Sequence, residues 1–422
     1  MSRLNTDSDS PTPPKATVRK SGWRRLGLAL GVFVAIVLVL LATLYLNRRA
    51  ATREVLIGWL ERQGIDADMQ VERVELDGIV ASIRIGDPAN PDVVIERVEV
   101  DYAVATPWSR TGLGVTPSRI RLIRPVVSAG FRDGKLTFGS LDPLIDRFTG
   151  QPPRPDSRSP LVIVEQGRLR LDTDYGPVTV LANARVDNGK LMQLNARLPE
   201  TALRSGDIQA QGLKATVQLT TTGNRVDVRA SASADAATVS GVSTEAGSLS
   251  LTGTVPYPDL KTRRGDGAAD VQAVVAARRL RSGVTDVRDL SARLSFDGQM
   301  RGWLETFTIE GQTGADIRAA RLDASGATAT GARLMLERNP VSLSRNADGL
   351  AWRVDGPLQM TATRALGAGL EGEGVSLTSS AVTLGGRGAA MEAQAPLALQ
   401  ARRLAWDELS LTGVNGSVAL DA

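Results

Sequence analysis

The chain contains no cysteine and no histidine. Their absence removes disulfides, thiolate nucleophiles, imidazole bases and zinc sites of the usual Cys/His type. Aromatic residues are scarce too, with six tryptophans, four tyrosines and six phenylalanines in 422 residues. Large compact cores draw much of their burial from such rings, so this chain must cover its apolar surface in some thinner arrangement. There is also no basic stripe interleaved with aromatics, and nucleic acid is therefore not an expected partner. The formal charge of +4 has a local source. Arg3, Lys15, Arg19, Lys20, Arg24, Arg25, Arg48, Arg49 and Arg53 face only Asp7 and Asp9, and the remainder of the chain is net acidic.

What is present begins with an uncharged apolar run over 26–46, rich in Leu, Ile and Val. Such residues favour insertion by about 0.3 to 0.6 kcal/mol each, and the run is long enough to cross a hydrocarbon core as a helix. A cleaved signal peptide would need a shorter apolar stretch and an A-x-A-like site after it. Arg24-Arg25 reads as a basic flank rather than a twin-arginine signal. Lys15, Arg19, Lys20, Arg24 and Arg25 before the run outnumber Arg48, Arg49 and Arg53 after it, which orients the N-terminus to the cytoplasm. The expected organisation is a disordered cytoplasmic tail at 1–25, a transmembrane helix at 26–46, a juxtamembrane helix at 47–64 and an exported β domain at 65–422.

Past residue 64 the apolar period changes from helical to two. Met192, Leu194, Ala196 and Leu198 alternate with more polar neighbours, as do Val178, Val180, Ala182, Ala184 and Val186. Asp187-Asn188-Gly189 between them is a hairpin signal, because Asn and Gly tolerate positive φ. Asp77-Gly78, Asp133-Gly134, Asp297-Gly298 and Asn415-Gly416-Ser417 read as further turns. The fold class is mainly β, an elongated antiparallel meander with few short helices. Composition and period alone leave a β-sandwich array level with an open or solenoidal sheet. One local helix is expected over 141–149 with Ser140 as its cap, followed by a loop bearing Pro152, Pro153, Pro155 and Pro160. Ala277-Arg278-Arg279-Leu280 and Ala401-Arg402-Arg403-Leu404, with Ala320-Arg321-Leu322 as a looser copy, suggest an internal repeat. The sequence given stops after a strand-like run without a polar cap, so the natural protein is expected to continue.

Stretches that look chemical have simpler readings. Gly367 to Gly372 matches G-x-G-x-x-G in form but lacks the strand before it and the helix after it that a dinucleotide site requires. Asp172-x-Asp174 and Asp66-x-Asp68 lie beside glycines and read as solvated turns, not as cation ligands or an acid-base pair. No catalytic residue, cofactor or metal is expected, and the chain is not expected to be an enzyme.

Two segments carry a resemblance. Residues 118–127, SRIRLIRPVV, followed by 131–141, FRDGKLTFGSL, resemble the AsmA-like superfamily, whose members pair a strand ending in Pro with an Asp-Gly hairpin behind a single anchor. Residues 159–173, SPLVIVEQGRLRLDT, resemble its YdbH branch. The similarity covers about residues 20 to 200.

The resemblance implies a bacterial inner-membrane protein with a curled, taco-like periplasmic sheet. Its apolar groove would hold phospholipid acyl chains and transfer or bridge phospholipids between inner and outer membranes. The partners implied are phospholipids, the inner membrane and an outer-membrane or periplasmic protein. The alternative is a structural assembly factor for outer-membrane or secreted β-proteins. The groove-facing set expected from alternation is Ile120, Leu122, Leu169, Leu171, Val178, Val180, Met192, Leu194, Val217, Leu219, Leu249, Leu251, Leu294 and Phe296. With short strands spaced by about 4.8 Å, the body would extend on the order of 140 Å.

Overall fold

The computed structural model describes residues 67–74, 78–104, 115–132, 135–142, 159–206, 208–258, 265–303, 306–346, 349–387 and 390–421. The expected tail, membrane span and juxtamembrane helix lie outside these residues. Among the described residues no helix is long and apolar enough to cross a membrane.

The described chain is almost entirely strand: β1 (Ala67–Val74), β2 (Gly78–Ile85), β3 (Val93–Val104), β4 (Val115–Arg132), β5 (Lys135–Thr137), β6 (Leu161–Thr173), β7 (Gly176–Asp187), β8 (Lys190–Ser205), β9 (Ile208–Thr222) and β10 (Arg225–Val239). The second half continues with β11 (Val242–Pro256), β12 (Gly267–Ser282), β13 (Thr285–Trp303), β14 (Thr306–Ala324), β15 (Ala327–Asn346), β16 (Gly349–Gly367), β17 (Leu370–Arg387), β18 (Ala390–Trp406) and β19 (Leu409–Asp421).

Strands pair with their sequence neighbours in antiparallel register, with one exception. β4 and β6 run parallel, from Arg119 opposite Leu161 to Phe131 opposite Thr173. A parallel pair needs a crossover of a dozen or more residues, and the proline-bearing stretch between β5 and β6 supplies it. β5 pairs with β4 at Gly130 to Arg132, past the point where β3 ends at Val127 on the same edge. It prolongs the line of β3, so the sheet is 18 strands wide, curled and unclosed. The central strands β13 to β16 are 19, 19, 20 and 19 residues long. Longer strands mean fewer of them, and the sheet measures about 80 Å along its contour, well short of the length expected from short strands.

The 141–149 helix appears within the described residues only as one 3-10 turn, Gly139–Leu141. Ser140 lies inside that turn rather than capping it, and both its N–H (2.8 Å) and its hydroxyl (2.6 Å) donate to the Asp92 carboxylate. Those bonds tie the connection to the start of β3.

Asn188 and Gly189, with φ of 49° and 74°, make the expected two-residue hairpin, Asp187 opposite Lys190. Ala368-Gly369 has the same left-handed pair and joins β16 to β17, which makes the G-x-G-x-x-G-like stretch a hairpin. Two expected turns are instead mid-strand. Gly298 lies in β13 opposite Gly311, and a Cβ there would meet the Phe296 ring at 2.7 Å. The glycine makes room for an aromatic ring that lies over it. Asn415 and Gly416 lie within β19, opposite Gln400 and Leu399.

Candidate functional site

β7 alternates without a bulge, so Val178, Val180, Ala182, Ala184 and Val186 share one face. Cross-strand pairs carry that face sideways, because paired residues project to the same side. Val186 opposes Val162, which opposes Ile120; Val180 opposes Leu169, and Val178 opposes Leu171. In the other direction Ala184 opposes Leu194, which opposes Leu219, while Ala196 opposes Val217. Val217 opposes Ala230, and Ala230 opposes Leu251; Leu249 follows through Ala232. Leu251 then opposes Ala273, and Ala273 opposes Leu294, with Phe296 opposite Val271. Leu122 and Met192 stay in phase with Ile120 and Leu194. The fourteen alternation-derived positions therefore lie on a single face.

Their surroundings differ. Ile120 and Leu122 are 0% and 1% exposed, whereas Leu249 and Leu294 are 43% and 39% exposed and the rest are half-buried. The same face also runs further than those positions. Ile83, Ile95 and Val98 extend it through β2 and β3, and Ile309, Leu334, Met360, Leu377 and Leu399 extend it toward β19. Their period-two pattern was available in the sequence, but only pairing shows that the phase is kept from strand to strand. Among the described residues no helix and no second sheet packs against this face from β8 onward.

A crease crosses the sheet at regular intervals. Gly212, Ala246, Asp289, Gly331, Gly374 and Gly413 have φ between 49° and 65°, and each is the fifth residue of its strand, from β9 to β19 in alternate strands. One left-handed residue inverts the inside-outside alternation and bends the strand. The Ala-Arg-Arg-Leu repeat lies on the intervening strands. Arg279 pairs with Arg288, Arg321 with Thr330, and Arg403 with both Glu373 and Thr412, always the residue before a left-handed one. The arginine heads then reach the neighbouring strand or their own: Arg279 Nε to Asp286 at 2.9 Å, Arg321 to Asp323 at 2.7 Å, Arg364 to Glu371 at 3.3 Å and Arg403 Nε to the Ser410 hydroxyl at 3.0 Å.

The opposite face is polar. Asp316 accepts from Arg333 and Arg318, both at 2.8 Å, and these bonds hold its carboxyl well below the usual range. Arg321 and the Thr328 hydroxyl lower Asp323 to about 2. Hydrogen bonding by Arg279 likewise lowers Asp286. The best-formed cavity among the described residues, about 950 Å³, also lies on this polar side and has walls running from β1 to β9. It includes Asp68, placed here on a strand rather than in a turn. Asp172 lies at the β6–β7 hairpin and is bridged to Arg132. Among the described residues no group of three or more acidic side chains is arranged to hold a metal ion.

The arrangement thus offers one broad apolar surface, without reactive groups, backed by an ion-paired polar surface with a hollow at one end. No protein-family model, no curated protein and no solved structure matches this chain.

Proposed function

We propose that the apolar face carries phospholipid acyl chains and that the protein transfers or bridges phospholipids between the inner and outer membranes, anchored in the inner membrane by 26–46 and catalysing no reaction. The observation that supports this reading is the in-phase apolar face that continues to β19 with no second layer over it among the described residues. Large side chains on it stay in contact with solvent, including Leu249 and Leu294 and, at the far end, Trp406 and Leu409, both 58% exposed. Exposed apolar area costs about 25 cal/mol per Å² relative to burial, and fluid acyl chains would cover such a surface where a second sheet does so in a sandwich. The resemblance to the AsmA-like superfamily points the same way.

The test places photocrosslinking residues at Met192, Leu194 and Leu251, and at the out-of-phase Gln193 and Ser250, in cells. Phospholipid adducts confined to the apolar phase are the expected result. Adducts at neither phase would reject the reading. The second reading, a β-assembly factor, draws on the outer edge of β19, with which no strand pairs among the described residues and where an incoming strand could add. Adducts to barrel precursors without any lipid would favour it.

A further inference from the structure

The hollow on the polar face has no part in lipid carriage, and its walls have a chemistry of their own. It is bounded in turn by β1, β2, β3, β4, β6, β7, β8 and β9, so it crosses the strands rather than lying between two of them. An elongated ligand suits that shape better than a compact one.

Three arginines at its walls, Arg84, Arg168 and Arg197, make no ion pair among the described residues. The described arginines of β3 and β4 are paired, whereas Arg170 and Arg185, on β6 and β7, resemble these three. Arg97 and Arg119, on the same face, bond Glu99 and Asp101, and Arg121 bridges Glu99 and Glu165 within 3.3 Å. Inside the hollow, Arg124 already neutralises Glu96. The remaining carboxylates, Asp68 and Glu72, lie at the β1 end. Arg168 and Arg197 flank Leu181 across β6, β7 and β8, and that end is the cationic one. Uncommitted guanidinium groups favour carboxylate or phosphate, which they engage with paired N–H donors.

Between the charges the lining is rich in amides. Asn195, Gln70 and Gln218 bring both donors and acceptors. Asn183 accepts the Gln166 N–H through Oδ1 at 2.7 Å, which turns its two amide hydrogens to other use. Groups that both donate and accept match hydroxyls. The lining includes no aromatic ring on which a nucleobase could stack.

We infer that this hollow binds a linear saccharide bearing carboxylate or phosphate groups, with one anionic group at Arg168 and Arg197 and the sugar hydroxyls along the amides. The inference stands whether or not the apolar face carries lipid.

Isothermal titration calorimetry on the full chain in detergent tests it, with four probes: hyaluronan tetrasaccharide for the carboxylate class, phosphorylated maltotetraose for the phosphate class, neutral maltotetraose and inorganic phosphate. At least one of the two anionic saccharides should bind, and the one that binds tighter identifies the source of the charge. Arg168→Gln combined with Arg197→Gln should weaken that binding tenfold or more, while Arg229→Gln, on the same face outside the hollow, should leave it unchanged. Both altered residues are exposed, and an unchanged circular dichroism spectrum would establish that the double variant is folded. Failure of both anionic saccharides to bind at millimolar concentration overturns the inference. Equal binding of neutral maltotetraose or of inorganic phosphate, or undiminished binding by the folded double variant, also overturns it.

Discussion

The two ends of the apolar face are alike in pattern and unlike in burial. In β2 to β4 the largest fully buried side chains of the described molecule come together: Ile85, Ile95, Ile120 and Leu122. From β8 onward the buried residues on that face are mostly small, such as Ala210, Ala269, Ala277, Ala292, Ala395 and Ala401, while Leu249, Leu294, Met360 and Trp406 are exposed. Alternation decides which way a side chain points. It does not decide whether anything lies over that side chain. Small residues are covered by their immediate neighbours in a curled sheet, whereas a leucine needs a second surface to reach zero exposure.

The largest expected effect tests that contrast directly. Ile120→Ala and Ile95→Ala should each cost about 2 to 5 kcal/mol, the range for aliphatic truncation in a packed core. Leu251→Ala, on the same face but half-buried, should cost about 1 kcal/mol or less, because no packed layer collapses around the gap. Urea unfolding of the three variants measures the difference. Equal losses would mean that the β8 to β19 face is a second core, and would remove the ground for an open lipid surface.

Much of the strand order was legible in the sequence, because period-two alternation and X-Gly hairpin signals are local. Val178 to Val186 and the Asn188-Gly189 turn could be read without any partner. The burial contrast could not be read, since nothing local separates Leu122 from Leu251. The crease was half legible. The Ala-Arg-Arg-Leu repeat marked it, but one of its left-handed residues, Ala246, is a type that gives no turn signal, and Asp289 has no glycine beside it. Gly298 misled for a related reason, since a glycine that admits an aromatic ring is written like one that turns the chain. The β4–β6 parallel pair depends on a long connection, and short-range pattern does not determine where such a connection returns.

The next effect separates positions on the crease from a position off it, within the same creased half. Gly331 has φ of 59°, and a Cβ there would run into the Thr363 hydroxyl; Gly374 has φ of 57° and lies 3.3 Å from Arg402 Cβ by the same measure. Replacing either with Val should cost about 1 to 2 kcal/mol from the left-handed backbone alone, with more at Gly331. Gly416, which has open space around it, should accept Val without loss. Ala246→Gly should gain slightly, by about 1 kcal/mol at most. Thermal melts of this set rank the positions. If Gly416→Val proved as costly as Gly331→Val, position along the crease would not be what matters.

The smallest effect concerns pH. Asp316 and Asp323 lie on the polar side of β14, in the open half, and their partners hold both below the usual carboxylate value of 3.8. A carboxyl whose folded pKa is depressed stabilises the fold above its unfolded pKa and loses that contribution as the pH falls toward the folded value. For Asp323 the window runs from about 4 down to about 2. The urea midpoint should therefore decline between pH 5 and pH 2.5. Asp316→Asn cannot lose a charge on acidification, so its midpoint should start lower at pH 5 and decline less. Both carboxyls touch solvent, and added salt should shrink the difference between wild type and variant. An Asp316→Asn midpoint that declines as steeply as the wild type would show that the double arginine clamp contributes nothing to the acid sensitivity. The stability of the open half would then rest on its backbone ladder and whatever covers its apolar face.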